Sequence, residues 1–353
     1  MWEAAIRNTI TGALVDLIDI ESPSWMRLLS APGRGGLRFP IDGQYSRAQL
    51  VNLFSEWERT FELSYDGVTQ FAGISEGVTY DAGRRAWAVN GLDLWAIWEA
   101  REAVDRTHPN SMKWSTTVTG ASRSLLAKRA VQRGITDPAD GGVALPLILE
   151  ADQPGALART YYGYHRAKVE DVLEDLIDEG LDVDFEPTRV GGLFRWRMRT
   201  GEPLAGATHE LYLSAPEENV AAFVERRDGS KMLTNSIQIG EGSEQDTLAR
   251  SMRVIGSGLP TLDRTTSRKD VTDQLQLQAF ASTAIAEHAT PTIQWDVEVP
   301  IAEAKNYRLG DTLRLHFDGE PAMNDGFAPQ RIVKKVGNGD TVTVSLQPSG
   351  GGS

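Results

Sequence analysis

Runs with a hydrophobic period of two dominate this chain and predict that most of it is β-strand. One such region extends from Trp57 to Asn90, with an Asp-Gly pair at 66–67 after its first alternating run. A second set of alternating runs begins at Thr292 and continues to Gln347. Because Asp-Gly between alternating runs is a strong hairpin signal, we predict antiparallel β-structure in both halves of the chain.

The two β regions share the same order of short motifs, over Phe61–Asn90 and Leu313–Ser345. Each begins with an alternating strand that ends in Asp-Gly, continues with a strand that opens on Phe-Ala, and adds a third strand after a glycine-bearing turn. Phe71 and Phe327 are the matching phenylalanines. The pattern fits a duplicated module, but strand, Asp-Gly turn and strand is also a common hairpin arrangement. A duplicated module suggests assembly more readily than catalysis.

The middle of the chain switches to helical spacing. Apolar residues from Val169 to Ile177 recur at i, i+3, i+4, i+7 and i+8, which predicts a helix over 167–179 that ends at Gly180. Alternating residues then predict a half-buried strand at 181–186, and a further strand follows at 193–198. This part of the chain therefore combines helix and strand between the two β regions.

Two more segments carry local signals. Residues 117–133 are predicted to form a helix, with Ser122 or Ser124 as its cap and Gly134 as its end. The glycine-rich segment Ala31–Gly36 is predicted to be a loop that interrupts the first β region.

These elements predict a mainly β protein of the α+β class, with two related antiparallel β domains and an α+β insertion domain between them. At 353 residues the chain is longer than one ordinary core requires, so two or three domains are expected. The predicted domains are a first β domain at 1–105, the insertion at 106–205, a second β domain at 206–348 that includes a helix at 270–289, and a flexible tail at 349–353.

Composition removes several classes of function. The chain has no cysteine, which excludes disulfides, thiolate zinc sites and cysteine nucleophiles. We find no apolar run of the length a membrane span needs and no secretory signal at the start. The formal net charge of −13 and the pI near 5.0 disfavour binding to a phosphate backbone, and suit a surface past which DNA must slide without sticking.

Two patterns could indicate catalysis. Gly73–Gly77 matches the G-x-S-x-G pattern of esterases, with Ser75 as the nucleophile, but it lies among strands rather than at a strand-to-helix turn, so a glycine-flanked strand is favoured. The acidic run from Glu170 to Glu186 could hold a divalent metal or a glycosidase pair. It lacks the spacing of an EF-hand, and a solvated or self-repelling surface is the favoured interpretation.

Other candidates also favour structural roles. Gly33–Gly36 lacks the Gly-Lys-Ser/Thr of a phosphate cradle and fits a mobile loop equally well. Trp95 and Trp98 lie one helical turn apart, and burial of their helix against a sheet is favoured over an exposed sugar platform. The five histidines lack metal-binding spacing; they are His108, His165, His209, His288 and His316.

One face of the strand predicted at 193–198 is basic. Arg195, Arg197 and Arg199 alternate with Trp196 and Met198, so the three arginines share one face. They are more simply partners for the acidic neighbourhood than a nucleic-acid stripe, given the net charge. We therefore predict no catalytic, cofactor-binding or metal-binding residue and no cofactor.

The order of elements resembles that of bacteriophage tail-hub proteins, most closely the minor tail proteins of long-tailed phages that infect actinobacteria. The resemblance covers most of the chain, and the order of its individually degenerate motifs carries it; 106–205 matches least. The motifs are the run from Trp57 through Gly73-Ile74 and Val89–Leu94 to Arg101, the strand at Asn235–Gly242, the helix before Pro291 with the strands from Thr292, Leu309–Asp311, Arg331–Val333 and Val342–Val344.

The resemblance implies a structural protein of the virion, located at the tail tip after assembly in the cytoplasm of the bacterial host. In that family two related β-barrel domains in each of three subunits form a pseudo-sixfold ring that meets the sixfold distal tail protein. The resemblance therefore implies that 1–105 is a first β-barrel-like hub domain and 206–348 a second β-barrel-like domain. The implied partners are two further copies of the chain, the distal tail protein ring, the tape measure protein and the tail-tip proteins. DNA would contact the ring only in passage during ejection.

Two alternatives stay open. One is a receptor-binding or carbohydrate-binding tail module that uses exposed tryptophans. The other, less favoured, is a hydrolase that acts on cell-wall glycans.

Overall fold

The computed structural model describes residues 1–353 except 42, 106–107, 109, 136–144, 214–219, 243–245, 257, 269–270 and 349–353. The predicted flexible tail therefore lies outside the described residues. The helices are α1 (Arg47–Leu53), α2 (Trp95–Ala100), α3 (Arg123–Ile135), α4 (Val169–Asp178), α5 (Gln274–His288) and α6 (Ile301–Ala304). In the part of the chain that is described, none of them has the length and apolarity of a membrane-spanning helix.

The strands of the first 121 residues are β1 (Trp2–Asn8), β2 (Leu14–Ile18), β3 (Glu21–Leu28), β4 (Ala31–Pro40), β5 (Arg59–Tyr65), β6 (Val68–Asp81), β7 (Ala86–Leu92) and β8 (Ser115–Ala121). The next are β9 (Leu147–Ile148), β10 (Leu157–Tyr162), β11 (Asp182–Val190), β12 (Leu193–Gly201), β13 (Thr208–Tyr212) and β14 (Ala222–Asp228). The last are β15 (Asn235–Ile239), β16 (Ala249–Arg253), β17 (Asp263–Ser267), β18 (Thr292–Pro300), β19 (Thr312–Phe317), β20 (Gly326–Asn338) and β21 (Thr341–Gln347).

Strands from both ends of the chain belong to one sheet. Thirteen of the described strands form it, in the order β14-β18-β21-β20-β3-β4-β7-β6-β5-β1-β2, with β19 beside β20 and β13 beside β19. The predicted class, α+β and mainly β, is confirmed. The order of the described strands does not close into a barrel.

The two similar β regions are both three-stranded antiparallel meanders. In the first, β5, β6 and β7 have 7, 14 and 7 residues; in the second, β19, β20 and β21 have 6, 13 and 7. Leu63 lies opposite Phe71, whereas the matching Leu315 lies opposite Ala328, one residue away from Phe327. The strand order of the two regions thus agrees, but the proposed match of Phe71 with Phe327 is wrong. Phe71 is buried and Phe327 is 39% exposed.

The glycine-rich segment at 31–36 is a strand and not a loop. It begins β4, which pairs with β3 on one side and β7 on the other. A Cβ at Gly35 would lie 2.6 Å from the ring of Phe71, and one at Gly33 would lie 2.6 Å from the carboxylate of Asp93. The glycines are therefore needed because other side chains pass close to this strand.

Helices α3 and α4 and strand β11 pack on α2 and β6 through an apolar cluster. Trp95 and Trp98 of α2 are buried, and both rings contact Phe185 of β11, with ring centroids 5.4 and 5.6 Å away. The predicted burial of these two tryptophans is confirmed. The same cluster includes Leu126 of α3 and Leu173 of α4.

The helix predicted at 117–133 begins later in the structure, at Arg123. Residues 115–121 form β8, and α3 starts after Ser122, whose hydroxyl accepts from the amide of Leu125 at 3.1 Å. Gly134 does not end the helix, which continues to Ile135. A Cβ at Gly134 would lie 2.6 Å from Val169, so this glycine permits close packing of α3 on α4. The helix predicted at 167–179 is confirmed as α4.

The chain divides into two compact units. The first comprises Met1–Phe223 and Val297–Ser349, and the second is built from Val224–Asp296. In the second, β15 lies between antiparallel β16 and parallel β17, and α5 packs on β15 and β16 with Leu277, Ala281 and Ile285 buried. The predicted division at 105 and 205 stays a prediction.

Candidate functional site: a buried ionic junction

Strand β11 places the end of the acidic run in the interior. Gly180, at φ +99°, ends the helical segment of α4, and β11 then alternates its side chains. Val183 and Phe185 point into the apolar cluster, as the pattern predicted. The opposite face carries Asp184 and Glu186, which are only 3% and 7% exposed. The interpretation of these two acids as a solvated surface is wrong.

Arginines from distant parts of the chain cover this face. Asp184 lies between Arg27 of β3, at 2.6 Å, and Arg199 of β12, at 3.3 Å. The guanidinium of Arg199 also donates to the carbonyl oxygen of Leu309 at 3.0 Å. Two cations thus offset the cost of burying one carboxylate, and the second is shared with a backbone acceptor.

The other two acids of β11 bind the C-terminal β region. Asp182 forms an ion pair with Arg331 of β20, and Glu186 forms one with Arg308 at 3.0 Å. We call these seven side chains the ionic junction; they are Asp182, Asp184, Glu186, Arg27, Arg199, Arg308 and Arg331. The junction links the insertion to both β regions within the first compact unit.

A second buried carboxylate supports the same arrangement. Glu62 of β5 pairs with Arg7 of β1 at 2.8 Å and with Arg189 of β11 at 2.6 Å. It also accepts from the hydroxyl of Thr69 at 2.6 Å. β11 is therefore anchored to β5 at Arg189 and to β3 at Asp184.

A cleft of about 530 Å³ adjoins the ionic junction. Lys335 of β20 lines it and is buried; its ammonium donates to the carbonyl oxygens of Tyr307 at 2.6 Å and Ala304 at 3.3 Å. Burial lowers the pKa of Lys335 to about 7, and the charge of Arg27 acts in the same direction. His209 also lines the cleft, and its Nε2 lies 2.9 Å from Oδ2 of Asp311.

Two further pKa values are shifted near this region. Burial raises the pKa of Asp93 to about 7, although its carboxylate accepts from the amides of Gly33 and Trp95. Burial and the nearby Glu303 raise the pKa of Tyr307 above its usual range. The region thus combines buried ion pairs with titratable groups whose pKa values are shifted by burial.

The esterase-like serine is part of the core. Ser75 lies within β6, is buried, and donates its hydroxyl to the carbonyl oxygen of Phe54 at 3.0 Å. The chain continues as strand on both sides of it. The strained strand-to-helix turn that exposes a nucleophile is therefore not the local structure of Ser75.

The remaining candidates are the arginines of β12 and the histidines. Arg199 meets the acidic neighbourhood as predicted, and Arg197 lies opposite Glu186 in the β11–β12 register. His316 contacts the rings of Tyr212 and Phe327, and the ring of His108 lies 2.7 Å from the carbonyl oxygen of Asn110. Among the described residues, no group of three or more His, Asp or Glu side chains is placed to hold a metal ion.

Sequence reasoning missed two features. One is the ionic junction, whose acids were visible as an alternating set but whose arginines lie up to 157 residues away. The other is the Tyr-rich segment Tyr161–His165, which is visible in the sequence as a local concentration of aromatic residues.

Comparison with known proteins gives the class of fold. No protein-family model matches the sequence, and no curated protein matches it. Among solved structures, a tail protein from Neisseria meningitidis MC58 is 14% identical with a TM-score of 0.61, over 99% of this chain and 97% of that one. The 43 kDa tail protein of prophage MuSo2 from Shewanella oneidensis is 12% identical with a TM-score of 0.63, over 98% of both chains.

A third similar structure comes from a secretion system. It is an Escherichia coli component of the type VI secretion system, described as structurally similar to the T4 bacteriophage tail proteins gp27 and gp5. It is 11% identical with a TM-score of 0.52, over 98% of this chain and 76% of that one. The chain therefore has the fold of bacteriophage tail proteins, and the predicted resemblance is confirmed at the level of the fold.

Proposed function

We propose that this chain is a structural hub protein of a bacteriophage tail. It would form a ring at the distal end, join the tail tube and distal tail protein to the tip, and leave a channel for DNA ejection. The observation that carries the proposal is the likeness of nearly the whole chain to two tail proteins, at TM-scores of 0.61 and 0.63.

The ring would contain three copies. Each copy supplies two meanders of the same strand order, β5-β6-β7 and β19-β20-β21, so three copies supply six. Six similar strand sets suit contact with a sixfold distal tail ring. The division into domains at 1–105, 106–205 and 206–348 belongs to this proposal.

The ionic junction fits a structural role better than an enzymatic one. Its carboxylates are occupied by arginines from three parts of the chain, which fixes β11 between the two β regions. The net charge of −13 disfavours adhesion of DNA, so DNA would pass without specific binding. Tape measure and tail-tip proteins would be the further partners, within the virion.

Electron cryo-microscopy of purified phage tails that carry this chain with a C-terminal tag, labelled with gold, tests the proposal. We expect label at the distal end and density for three copies around a central channel. In parallel, the purified chain mixed with the distal tail protein should form a particle containing three copies of 38.7 kDa each.

Label along the tail shaft or at the capsid would contradict the proposed location. Dimers or hexamers of the chain in the assembled tip would contradict the trimer. A closed channel in tails that have ejected their DNA would contradict passage through the ring.

A further inference from the structure

The two-stranded sheet of β8 and β10 presents an exposed cluster of aromatic rings. Tyr162 is 39% exposed and Tyr164 is 55% exposed, and their ring centroids lie 5.2 Å apart. The ring of His165 lies 4.5 Å from that of Tyr164 and 5.5 Å from that of Tyr162. Three exposed rings are thus in mutual contact at one surface of the insertion.

The backbone beneath the rings is held in place. Gly163 donates its amide to the carbonyl oxygen of Trp114 at 2.7 Å, and a Cβ there would lie 2.9 Å from the carbonyl carbon of Ser111. The guanidinium of Arg133 lies 4.9 Å from the ring centroid of Tyr161 and 5.0 Å from that of Trp114. The exposed rings therefore project from a closely packed base.

Hydroxyl groups flank the rings on the same side of the sheet. Ser115 lies opposite Tyr162, and Thr117 lies opposite Thr160, with 2.8 Å between the two threonine hydroxyls. Directly opposite residues of an antiparallel pair point to one face, and these four are all exposed. We call this surface the Tyr-Thr face; it comprises Ser115, Thr117, Thr160, Tyr162, Tyr164 and His165.

We propose that the Tyr-Thr face binds a neutral oligosaccharide, as part of a surface glycan. Aromatic rings can cover the apolar C–H face of a pyranose, while serine and threonine hydroxyls exchange hydrogen bonds with its hydroxyl groups. Tyrosine with serine is also the composition of recognition surfaces that bind at low entropic cost. The five serine, threonine and tyrosine side chains of the face carry no charge, which fits an uncharged ligand in a chain of net charge −13.

Size favours an oligosaccharide over a folded protein. The side chains of the face come from 115–117 and 160–165; six fully extended residues span about 20 Å, so the face is at most about 20 Å long and, across two strands, about 10 Å wide. That is about 200 Å², far below the roughly 800 Å² per partner of a stable protein interface. A chain of a few sugar units matches these dimensions. This binding would be a property of the chain in addition to its proposed role as a hub.

The test is a printed array of neutral oligosaccharides of glucose, galactose, mannose and N-acetylglucosamine, two to six units long, probed with the full chain. Calorimetry then measures Kd for the best ligand. We expect binding to at least one series, and about tenfold weaker binding for Tyr162→Ala and for Tyr164→Ala. Tyr164→Phe should stay within about threefold of the wild type because it keeps the ring.

Phe327→Ala is the matched control, since it removes an exposed ring of equal exposure to Tyr162 from a different surface. Its affinity should equal that of the wild type. The proposal is overturned if the wild type binds no neutral oligosaccharide at millimolar concentration, or if both tyrosine-to-alanine variants bind as tightly as the wild type.

Assembly into tails, measured on the same variants, separates this proposal from the hub function. Normal tail assembly by Tyr164→Ala together with lost sugar binding supports the proposal. Lost assembly with no sugar binding by the wild type would identify the face as a protein contact and overturn it.

Discussion

Trp25 of β3 lies directly opposite Gly337 of β20, and a Cβ on Gly337 would stand 2.6 Å from Cζ2 of the indole. On its other side Trp25 lies opposite Gly35 of β4. The indole fills the space that Gly337 leaves free of a side chain, whereas the ring of Phe71 takes the space at Gly35. The β3–β20 pairing is also the point at which the two meanders join in one sheet.

Gly337→Ala should lower the free energy of unfolding by about 1–3 kcal/mol, because a methyl group would overlap a buried ring that has no room to move. Urea unfolding followed by tryptophan fluorescence measures the change.

Gly77→Ala is the control, since a Cβ there meets no atom within 4 Å. It should change stability by less than about 1 kcal/mol, in either direction. Equal losses in the two variants would show that the Trp25 contact is not the cause.

Asp184→Asn should cost about 3 kcal/mol or more, because it leaves Arg27 and Arg199 buried without their shared counter-charge. The same urea titration measures it. Glu210→Gln breaks the exposed pair with Arg314 and should cost less than about 1 kcal/mol. A cost for Asp184→Asn as small as that of Glu210→Gln would exclude a stabilising role of the ionic junction.

Lys335 should make stability rise with pH above neutrality. Its pKa is about 7 in the folded chain and 10.5 is the ordinary value, so between these values the unfolded chain binds more protons than the folded one. The free energy of unfolding should increase by up to about 1.4 kcal/mol per pH unit from this group. The increase begins near pH 7 and ends near pH 10.5.

Lys335→Met isolates that contribution. Asp93, whose pKa is raised to about 7, gives the opposite slope below neutrality, and it is present in both proteins. The stability difference between wild type and Lys335→Met should therefore move in favour of the wild type from pH 7 to pH 10. A constant difference would mean that Lys335 stays charged in the folded chain.

Trp98→Ala should cost about 3–5 kcal/mol, because the ring is fully buried between α2 and the insertion and contacts Phe185. Thermal unfolding by circular dichroism measures the loss. Tyr80→Ala removes an exposed ring and should cost less than about 1 kcal/mol. A mild effect of Trp98→Ala would mean that the insertion does not depend on this contact.

Elements with strong local periodicity were predictable. The stripe from Val169 to Ile177 identifies α4 because burial of one face of a helix needs only the helical period. Ser122 marks the start of α3 for a similar reason, since a cap is a local bond. The local pattern does not predict the strand at 115–121, because its threonines and valine show no clear hydrophobic period.

The local sequence pattern around glycine gives a wrong prediction at two places in this chain. The pattern predicts a loop at Gly33 and Gly35 and a helix end at Gly134, whereas the structure has a strand at the first two and helix at the third. In each place the glycine makes room for a side chain that is distant in sequence: Asp93, Phe71 or Val169. Local signals cannot distinguish a glycine needed for a turn from one needed for a close approach.

The sequence by itself determined the mainly β class, the two meanders, the helix α4 and the alternation along β11, because each depends on periods and turns between near neighbours. Only the tertiary structure decided that Asp184 and Glu186 are buried. Alternation tells which residues share a face, but not whether water or arginine covers it. That depends on Arg27 and Arg308, which the β3–β20 pairing and the loop before β19 bring to β11.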